Sequence, residues 1–378
     1  MPRLQVHTKA RQHEYDISIG RGLLTAAGPE ARRSLGKQAQ RAVLVSNRKV
    51  LQLYGPAVIR SLEAGGFAVS PWLIGDGERF KSLRTVEQTI RFLSENRLER
   101  NDAVVALGGG VVGDVAGFAA ATYLRGIPFI QIPTTLLAQI DSSVGGKTGV
   151  NLPAGKNLVG AFYQPASVII DIETLSTLPP RELVAGWCES VKQGAVSSRK
   201  LFKQTAGFLT GLNAGGALVS AQLEDLIAAQ CAFKASIVAG DEREDSTRND
   251  RRSRRILNFG HTIAHALEAV TGYRRFRHGE AVGHGILVAG ELSNRLGLLP
   301  PSELELLREG VRLCGSLPAA NDIDSKSITE AATRDKKRSR GQVQWILLER
   351  IGHPRIVDGK EISPALLRQA LNKSLGIR

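Results

Sequence analysis

Residues 103–117 read AVVALGGGVVGDVAG, and this stretch decides the fold class. Ala103–Leu107 is a short, Val-rich apolar run of the length of a buried parallel strand. Three glycines follow at once, Gly108, Gly109 and Gly110, and then Val111-Val112-Gly113-Asp114. Ala116, Gly117, Ala119, Ala120 and Ala121 next predict a helix packed very close to a neighbour. Glycines let the backbone turn sharply and approach an anion, while the free N–H groups and dipole of a helix start supply positive potential. Gly108-x-Gly110-x-x-Gly113 fits the dinucleotide fingerprint in its strand-to-helix context. The acidic residue expected about twenty positions on is replaced by Pro133-Thr134-Thr135, so dinucleotide binding fits and an ordinary Rossmann domain does not.

Residues 131–165 read QIPTTLLAQIDSSVGGKTGVNLPAGKNLVGAFYQP. Hydroxyls, glycine pairs and the lysines Lys147 and Lys156 alternate here with few apolar residues. The pattern predicts a long loop, and such loops in compact domains usually carry function. Gly146-Lys147-Thr148 resembles a nucleoside-triphosphate loop, but the required first glycine falls on Asp141, which excludes that reading.

Outward from this stretch, Leu4–His7 and Tyr15–Ile19 predict a strand pair. Ala42–Ser46 predicts a buried strand ending at Asn47, Lys49–Ala64 a helix and Ala68–Ile74 a further strand. That strand runs into Gly75-Asp76-Gly77-Glu78-Arg79-Phe80-Lys81, a loop at the carboxyl end where open α/β sheets bind ligands. A helix over Ser82–Asn96 and strands at Phe129–Ile132 and Ser167–Ile172 complete an alternation that implies a mostly parallel sheet. After Leu178-Pro179-Pro180 helical periods dominate, at Arg181–Ser197, Ala221–Gly240, His261–Thr271 and Gly279–Leu296, with a late hairpin over Val343–Leu348 and Arg355–Val357. The expected architecture is an α/β Rossmann-like dinucleotide domain over 1–178 and a mainly α-helical domain over 179–378 holding metal and substrate.

The chain has 378 residues, 42% of them apolar and 23% charged, the balance of a soluble globular protein. No run approaches the roughly 18 apolar residues of a membrane span, and residues 1–16 lack an apolar signal core, so a cytoplasmic protein is expected. Cys188, Cys231 and Cys314 are odd in number and widely spaced, which predicts reduced thiols. The net charge of +14 fits nucleic acid or a small anionic substrate. Few aromatics, no basic tail and a cluster of arginines (Arg248, Arg251, Arg252, Arg254, Arg255) beside chemical motifs favour the small anion.

Four of the seven histidines lie between 261 and 284. His261 and His265, spaced i, i+4, share a helix face and read as metal ligands. Glu189 is a candidate carboxylate partner, although a lone Glu on such a face is more often a helix-end or salt-bridge residue, and Lys192 at i+3 fits either reading.

GGGVVGD, AATYLRG, IPTTLLAQIDSSVGGKTGVNLPAGKN and GAFYQP together resemble the 3-dehydroquinate synthase family of sugar phosphate cyclases, and the resemblance runs from about Val43 to about Leu348. It implies one catalytic divalent metal, zinc or cobalt, on Glu189, His261 and His278, with His265 moved to a substrate or acid–base role and His284 left structural. It implies NAD contacts from Asn47, Asp76, Gly77, Glu78, Lys81, Gly109, Gly110, Val111, Val112, Gly113, Asp114, Thr134, Thr135, Asp141, Lys147, Lys156, Thr174, Leu175 and Thr177. Lys147, Asn157, Asn258, His265 and Lys337 (chosen over Lys336) would face a phosphate, with Arg125 reaching across a homodimer interface. Lys234 and Arg254 would hold a carboxylate, Lys192 would lie near metal and substrate, and Asp141 beside the nicotinamide. The segment Asp245–Ser253 makes the chain longer here than the usual family pattern. Arg254 keeps its spacing to Asn258 and His261, and is assigned on that ground. The implied reaction converts 3-deoxy-D-arabino-heptulosonate 7-phosphate to 3-dehydroquinate and phosphate, by transient oxidation, elimination, re-reduction and aldol closure. Cyclases acting on sedoheptulose 7-phosphate or glucose 6-phosphate, polyol dehydrogenases and a basic nucleic-acid binder are the alternatives.

Overall fold

The computed structural model describes residues 13–334 and 344–377. Eight strands occupy the first half of the described chain: β1 (Asp16–Gly20), β2 (Arg41–Asn47), β3 (Ala68–Ile74), β4 (Ala103–Gly108), β5 (Phe129–Pro133), β6 (Lys147–Leu152), β7 (Gly155–Phe162) and β8 (Ser167–Asp171). Six of them form one parallel sheet in the order β1-β8-β5-β4-β2-β3. The strand expected at Tyr15–Ile19 is thus β1, paired with β8; its expected companion Leu4–His7 lies outside the described residues.

Side chains alternate across this sheet as the two-residue strand period requires. Val43, Val45, Val104 and Ala106 pack on the face that carries α3 (Leu83–Glu95) and α4 (Gly110–Thr122). Ala42, Leu44, Val105 and Leu107 pack on the face that carries α1 (Ala27–Leu35) and α2 (Arg48–Ala64). Because both faces are covered, the central strands β2, β4, β5 and β8 read as nearly continuous apolar runs. Strand order reverses between β2 and β4, so a crevice opens above their carboxyl ends, where Asn47 and Gly109 lie.

The loop expected over residues 131–165 is more regular than its composition suggests. A π-helical turn spans Ala138–Ser142, and β6 and β7 form an antiparallel hairpin. Gly149 and Gly160 face each other so closely that a Cβ on Gly160 would lie 2.0 Å from the Thr148 carbonyl oxygen. The hairpin rests on α4 at Gly117, where a Cβ would meet the Thr148 methyl at 2.5 Å. The alanine and glycine run of α4 is therefore the price of being clamped between sheet and hairpin.

The second half is helical: α5 (Pro180–Ser197), α6 (Arg199–Asn213), α7 (Ala221–Gly240), α8 (His261–Val270), α9 (His278–Arg295), α10 (Pro301–Leu313), α11 (Ser325–Arg334) and α12 (Pro364–Leu375). Strands β9 (Gln344–Arg350) and β10 (His353–Asp358) make the expected late hairpin. Val343, and the candidate phosphate residue Lys337 with its neighbour Lys336, lie outside the described residues. One apolar core joins this half to the sheet side, with Leu136, Ile140, Val168 and Ile170 packed among Trp187, Phe259, Ile286 and Leu292. Cys188, Cys231 and Cys314 are buried free thiols, as expected.

Candidate metal and dinucleotide site

Glycines bring three helices together at the junction of the two halves. A Cβ on Gly279 would lie 2.0 Å from the Ala185 carbonyl oxygen, and one on Gly285 would lie 2.0 Å from that of Gly260. Helices α5, α8 and α9 thereby touch through backbone. Gly260 also adopts φ +80°, a left-handed turn that starts α8 at His261. Helix α9 starts at His278 because Glu280 turns back to accept from the Arg277 amide at 2.7 Å. Both histidines are thus the first residues of their helices, and both face Glu189 in the middle of α5.

The carboxylate of Glu189 is wholly buried. Its Oε2 lies 2.6 Å from the Lys192 ammonium. Its Oε1 accepts no hydrogen bond among the described residues, and lies 3.5 Å from His278 Nε2 and 3.9 Å from His261 Nε2. Leaving a buried acceptor unmet costs about 1–3 kcal/mol, and more for a charged group. A divalent cation between one carboxylate oxygen and two imidazoles removes that cost, so the donor set fits a metal. Burial, helped by the Lys192 charge and the neighbouring imidazoles, holds His261 well below its ordinary pKa, in the neutral form a metal requires. Among the described residues these three form one of two groups able to hold an ion; the other is His265, Glu268 and His278. The i, i+4 pair His261 and His265 does not ligate together in either group. Their rings meet edge-on at 5.5 Å, and His265 is exposed.

Asp141, at the end of the π-helical turn, links the metal cluster to the basic residues. It lies 4.0 Å from Lys192 and pairs directly with Lys234, whose ammonium also donates to the Asp141 carbonyl at 2.6 Å. Burial pushes the Asp141 carboxyl up, but the Lys234 and Lys192 charges outweigh it and hold the group far below the usual range. Burial depresses Lys234 in turn. The Arg254 guanidinium is buried, donating to the carbonyls of Glu242 at 2.6 Å and Gly145 at 2.8 Å. The extra loop is closed at its base by Asp241, which accepts from the amides of Asp245 at 2.8 Å and Arg254 at 2.7 Å.

Two of the expected phosphate residues meet on a group the sequence reading missed. Lys147 forms an ion pair with Glu244, and Asn258 donates to the same carboxylate at 2.9 Å. Burial raises the Glu244 carboxyl, and Lys147 and Asn258 more than reverse that effect. Asn157 is elsewhere: it accepts from Lys81 at 2.5 Å. Arg125 is exposed beyond α4 with φ +68°.

The cradle begins where β4 ends. No side chain caps α4 at Gly109, so the first amides of this 13-residue helix are open to an anion. A Cβ on Gly109 would meet the Thr135 methyl at 3.1 Å, and one on Gly110 would meet the Ser142 hydroxyl at 3.1 Å. A Cβ on Gly113 would instead strike Gln131 at 2.7 Å, which makes Gly113 a helix-to-sheet packing position. Val112 and Thr134 are buried, while Val111 is half-buried beside them. Lys81 pairs with Asp114, and Glu78 accepts from Asn151 at 2.8 Å. Asn47 caps α2 and donates to Asp76 at 3.2 Å beside the crevice, with Gly77 at φ +92° next to it. Thr174 and Leu175 are buried, the Thr174 hydroxyl being held by Gln139 and the Asp171 carbonyl, so their side chains are taken up by packing. Thr177 is bonded to Tyr54.

Lys156 spans the remaining gap, 3.8 Å from Glu78 and 3.0 Å from Glu268, a residue also missed from sequence. Glu268 lies about two helical turns on from His261 (i, i+7), a spacing that marks the same side of α8. His284, outside the network, hydrogen-bonds the Pro318 carbonyl through Nε2 at 2.8 Å. No helix of the described residues is long and apolar enough to cross a membrane.

An open anion cradle on a parallel sheet, joined by buried ion pairs to a carboxylate–imidazole cluster, defines a dinucleotide-type enzyme with a metal-type centre. The family model for the 3-dehydroquinate synthase N-terminal region matches residues 71–185, and that for its C-terminal region matches residues 186–338. The 3-dehydroquinate synthase of Gloeobacter violaceus is 45% identical over 96% of this chain and 97% of its own. That of Symbiobacterium thermophilum is 43% identical over 95% and 98%. Among solved structures, the chain resembles the 2-epi-5-epi-valiolone synthase of Streptomyces hygroscopicus subsp. jinggangensis, solved with NAD+ and Zn2+ bound. The TM-score is 0.86 at 25% identity, over 98% of this chain and 99% of that one. A 2-deoxy-scyllo-inosose synthase, complexed with carbaglucose-6-phosphate, NAD+ and Co2+, matches with a TM-score of 0.79 at 28% identity over 94% and 96%. The chain belongs to the 3-dehydroquinate synthase family.

Proposed function

We propose that this protein is a 3-dehydroquinate synthase, converting 3-deoxy-D-arabino-heptulosonate 7-phosphate to 3-dehydroquinate and phosphate. The observation that carries the reading is the charge network, buried at Lys192, Glu189 and Glu268, running from Lys234 through Asp141, Lys192, Glu189 and His278 to Glu268, Lys156 and Glu78. It joins groups suited to a carboxylate, a metal and a dinucleotide in one cleft. The full-length relatives support the same substrate.

NAD, when bound, would supply reversible hydride acceptance, and a zinc or cobalt ion would supply Lewis acidity toward substrate hydroxyls. Glu189, His261 and His278 would hold the metal. The amides of residues 109–112 would face the pyrophosphate, and Asp76, Glu78 and Lys81 the rest of the dinucleotide. Lys234 and Arg254 bind the substrate carboxylate, with Lys234 exchanging Asp141 for it. Lys147, Asn258, His265 and Lys337 bind the phosphate, with Lys147 and Asn258 exchanging Glu244 for it; Asn157 joins them by leaving Lys81. Lys192 stabilises developing oxyanions near the metal, and Asp141 orients the hydroxyls beside the nicotinamide. Residues 1–178 and 179–378 serve as the cofactor and substrate domains of a cytoplasmic homodimer in which Arg125 reaches the neighbouring site.

The test is phosphate release by purified protein with the heptulosonate, with and without NAD. Stoichiometric dehydroquinate and phosphate, with no net NADH, is the expected result. Steady NADH accumulation without phosphate overturns the reading in favour of a polyol dehydrogenase.

A further inference from the structure

We propose that Glu268 is a positioning residue, fixing the ring of His278 for metal binding from the side opposite Glu189. The inference rests on the metal reading given above. His278 stands between two buried carboxylates: its Nε2 is 3.5 Å from Glu189 Oε1, and its Nδ1 is 3.4 Å from Glu268 Oε1. An imidazole that ligates through one nitrogen carries its proton on the other. A carboxylate accepting that proton sets both tautomer and ring orientation and raises ligand basicity.

Glu268 is built for this task. It is 2% exposed, on the helix that begins with His261. Its Oε1 also accepts from the Lys156 ammonium at 3.0 Å, which offsets burial of the charge. Lys156 comes from the β6–β7 hairpin and lies 3.8 Å from Glu78. The strut that steadies the metal ligand is therefore anchored in the loop and hairpin assigned to the cofactor.

Glu268 also belongs to the second group able to hold an ion, with His265 and His278, and the test must separate an orienting role from ligation. Cobalt(II) affinity would be measured by competition with a chromophoric chelator, together with the visible d–d bands of the cobalt-loaded protein. The proteins are wild type, Glu268→Ala, Glu268→Gln and Glu189→Ala, each checked for folding by circular dichroism. Glu268→Ala should keep the ion but bind it about 10- to 100-fold more weakly with shifted d–d bands. Glu268→Gln, whose amide oxygen still accepts from Nδ1–H, should recover part of the loss, and Glu189→Ala should lose the ion. Wild-type affinity and bands in a folded Glu268 variant, or no recovery in Glu268→Gln, overturns the positioning role while leaving the metal site intact. If Glu268→Ala loses the ion and Glu189→Ala keeps it, the ion belongs to the second cluster and both readings fall. Should Glu268→Ala not fold, Glu268→Gln alone decides, and wild-type affinity with unshifted bands is the overturning result.

Discussion

Glu244 holds the ammonium of Lys147, so a carboxylate of the protein stands where the substrate phosphate is expected to bind. The pair is half-exposed on the lysine side, and Asn258 donates to the same carboxylate. Pairs of this exposure contribute about 0.2–1 kcal/mol. Glu244→Gln should therefore tighten binding of inorganic phosphate by about 1.5- to 5-fold, measured by calorimetry at low ionic strength. Weaker phosphate binding in the variant would mean that Glu244 helps to bind the anion.

Metal removal tests the centre. Chelation should abolish turnover, and zinc or cobalt should restore it. Glu189→Ala, His261→Ala and His278→Ala should each bind less than a tenth of the wild-type metal at equal free concentration, about 1.4 kcal/mol or more. His265→Ala should keep its metal and lose turnover. Metal analysis of the four variants decides between this set and the i, i+4 pair.

The glycines of the cradle should separate by role. Gly110→Val places a side chain beside Ser142 at the open helix start, and should weaken NAD binding in a protein that still folds. Gly113→Val drives into Gln131 between helix and sheet, and should cost about 1–3 kcal/mol of stability by overpacking. Thermal melts and NAD titrations check both, and unchanged NAD affinity in folded Gly110→Val would remove the cofactor from this helix.

Substrate choice rests on the carboxylate. Charge-assisted hydrogen bonds contribute roughly 1.5–3 kcal/mol each, and Lys234 and Arg254 offer two cations away from bulk water. Lys234→Ala and Arg254→Ala should raise KM for the heptulosonate and spare NAD and metal affinity. Sedoheptulose 7-phosphate, with a hydroxymethyl group in place of the carboxylate, should react on the order of 10⁴-fold less efficiently. Comparable kcat/KM for the two sugars would reassign the substrate and keep the cyclase fold.

Local pattern was sufficient for the parallel sheet, because its central strands β2, β4, β5 and β8 are buried on both faces and so read as nearly continuous apolar runs. It was sufficient for the helices that carry Glu189, His261 and His278 as well, since their apolar periods span several turns. The hairpin at 147–162 was not legible: its glycines and hydroxyls resemble a loop until α4 is packed beneath them. Which histidines share an ion was likewise a tertiary matter. His261 and His265 are neighbours along one helix, whereas His278 reaches Glu189 only because Gly279 lets α9 touch the backbone of α5. Glu244 and Glu268 carry no motif, and acquire meaning from Lys147 and His278, distant in sequence and adjacent in space. The sequence by itself determined which chemical groups were available and the elements that bear them. Only close packing through glycine backbones decided which carboxylate faces which cation, because ion pairing depends on separations of a few ångströms that no spacing along the chain encodes.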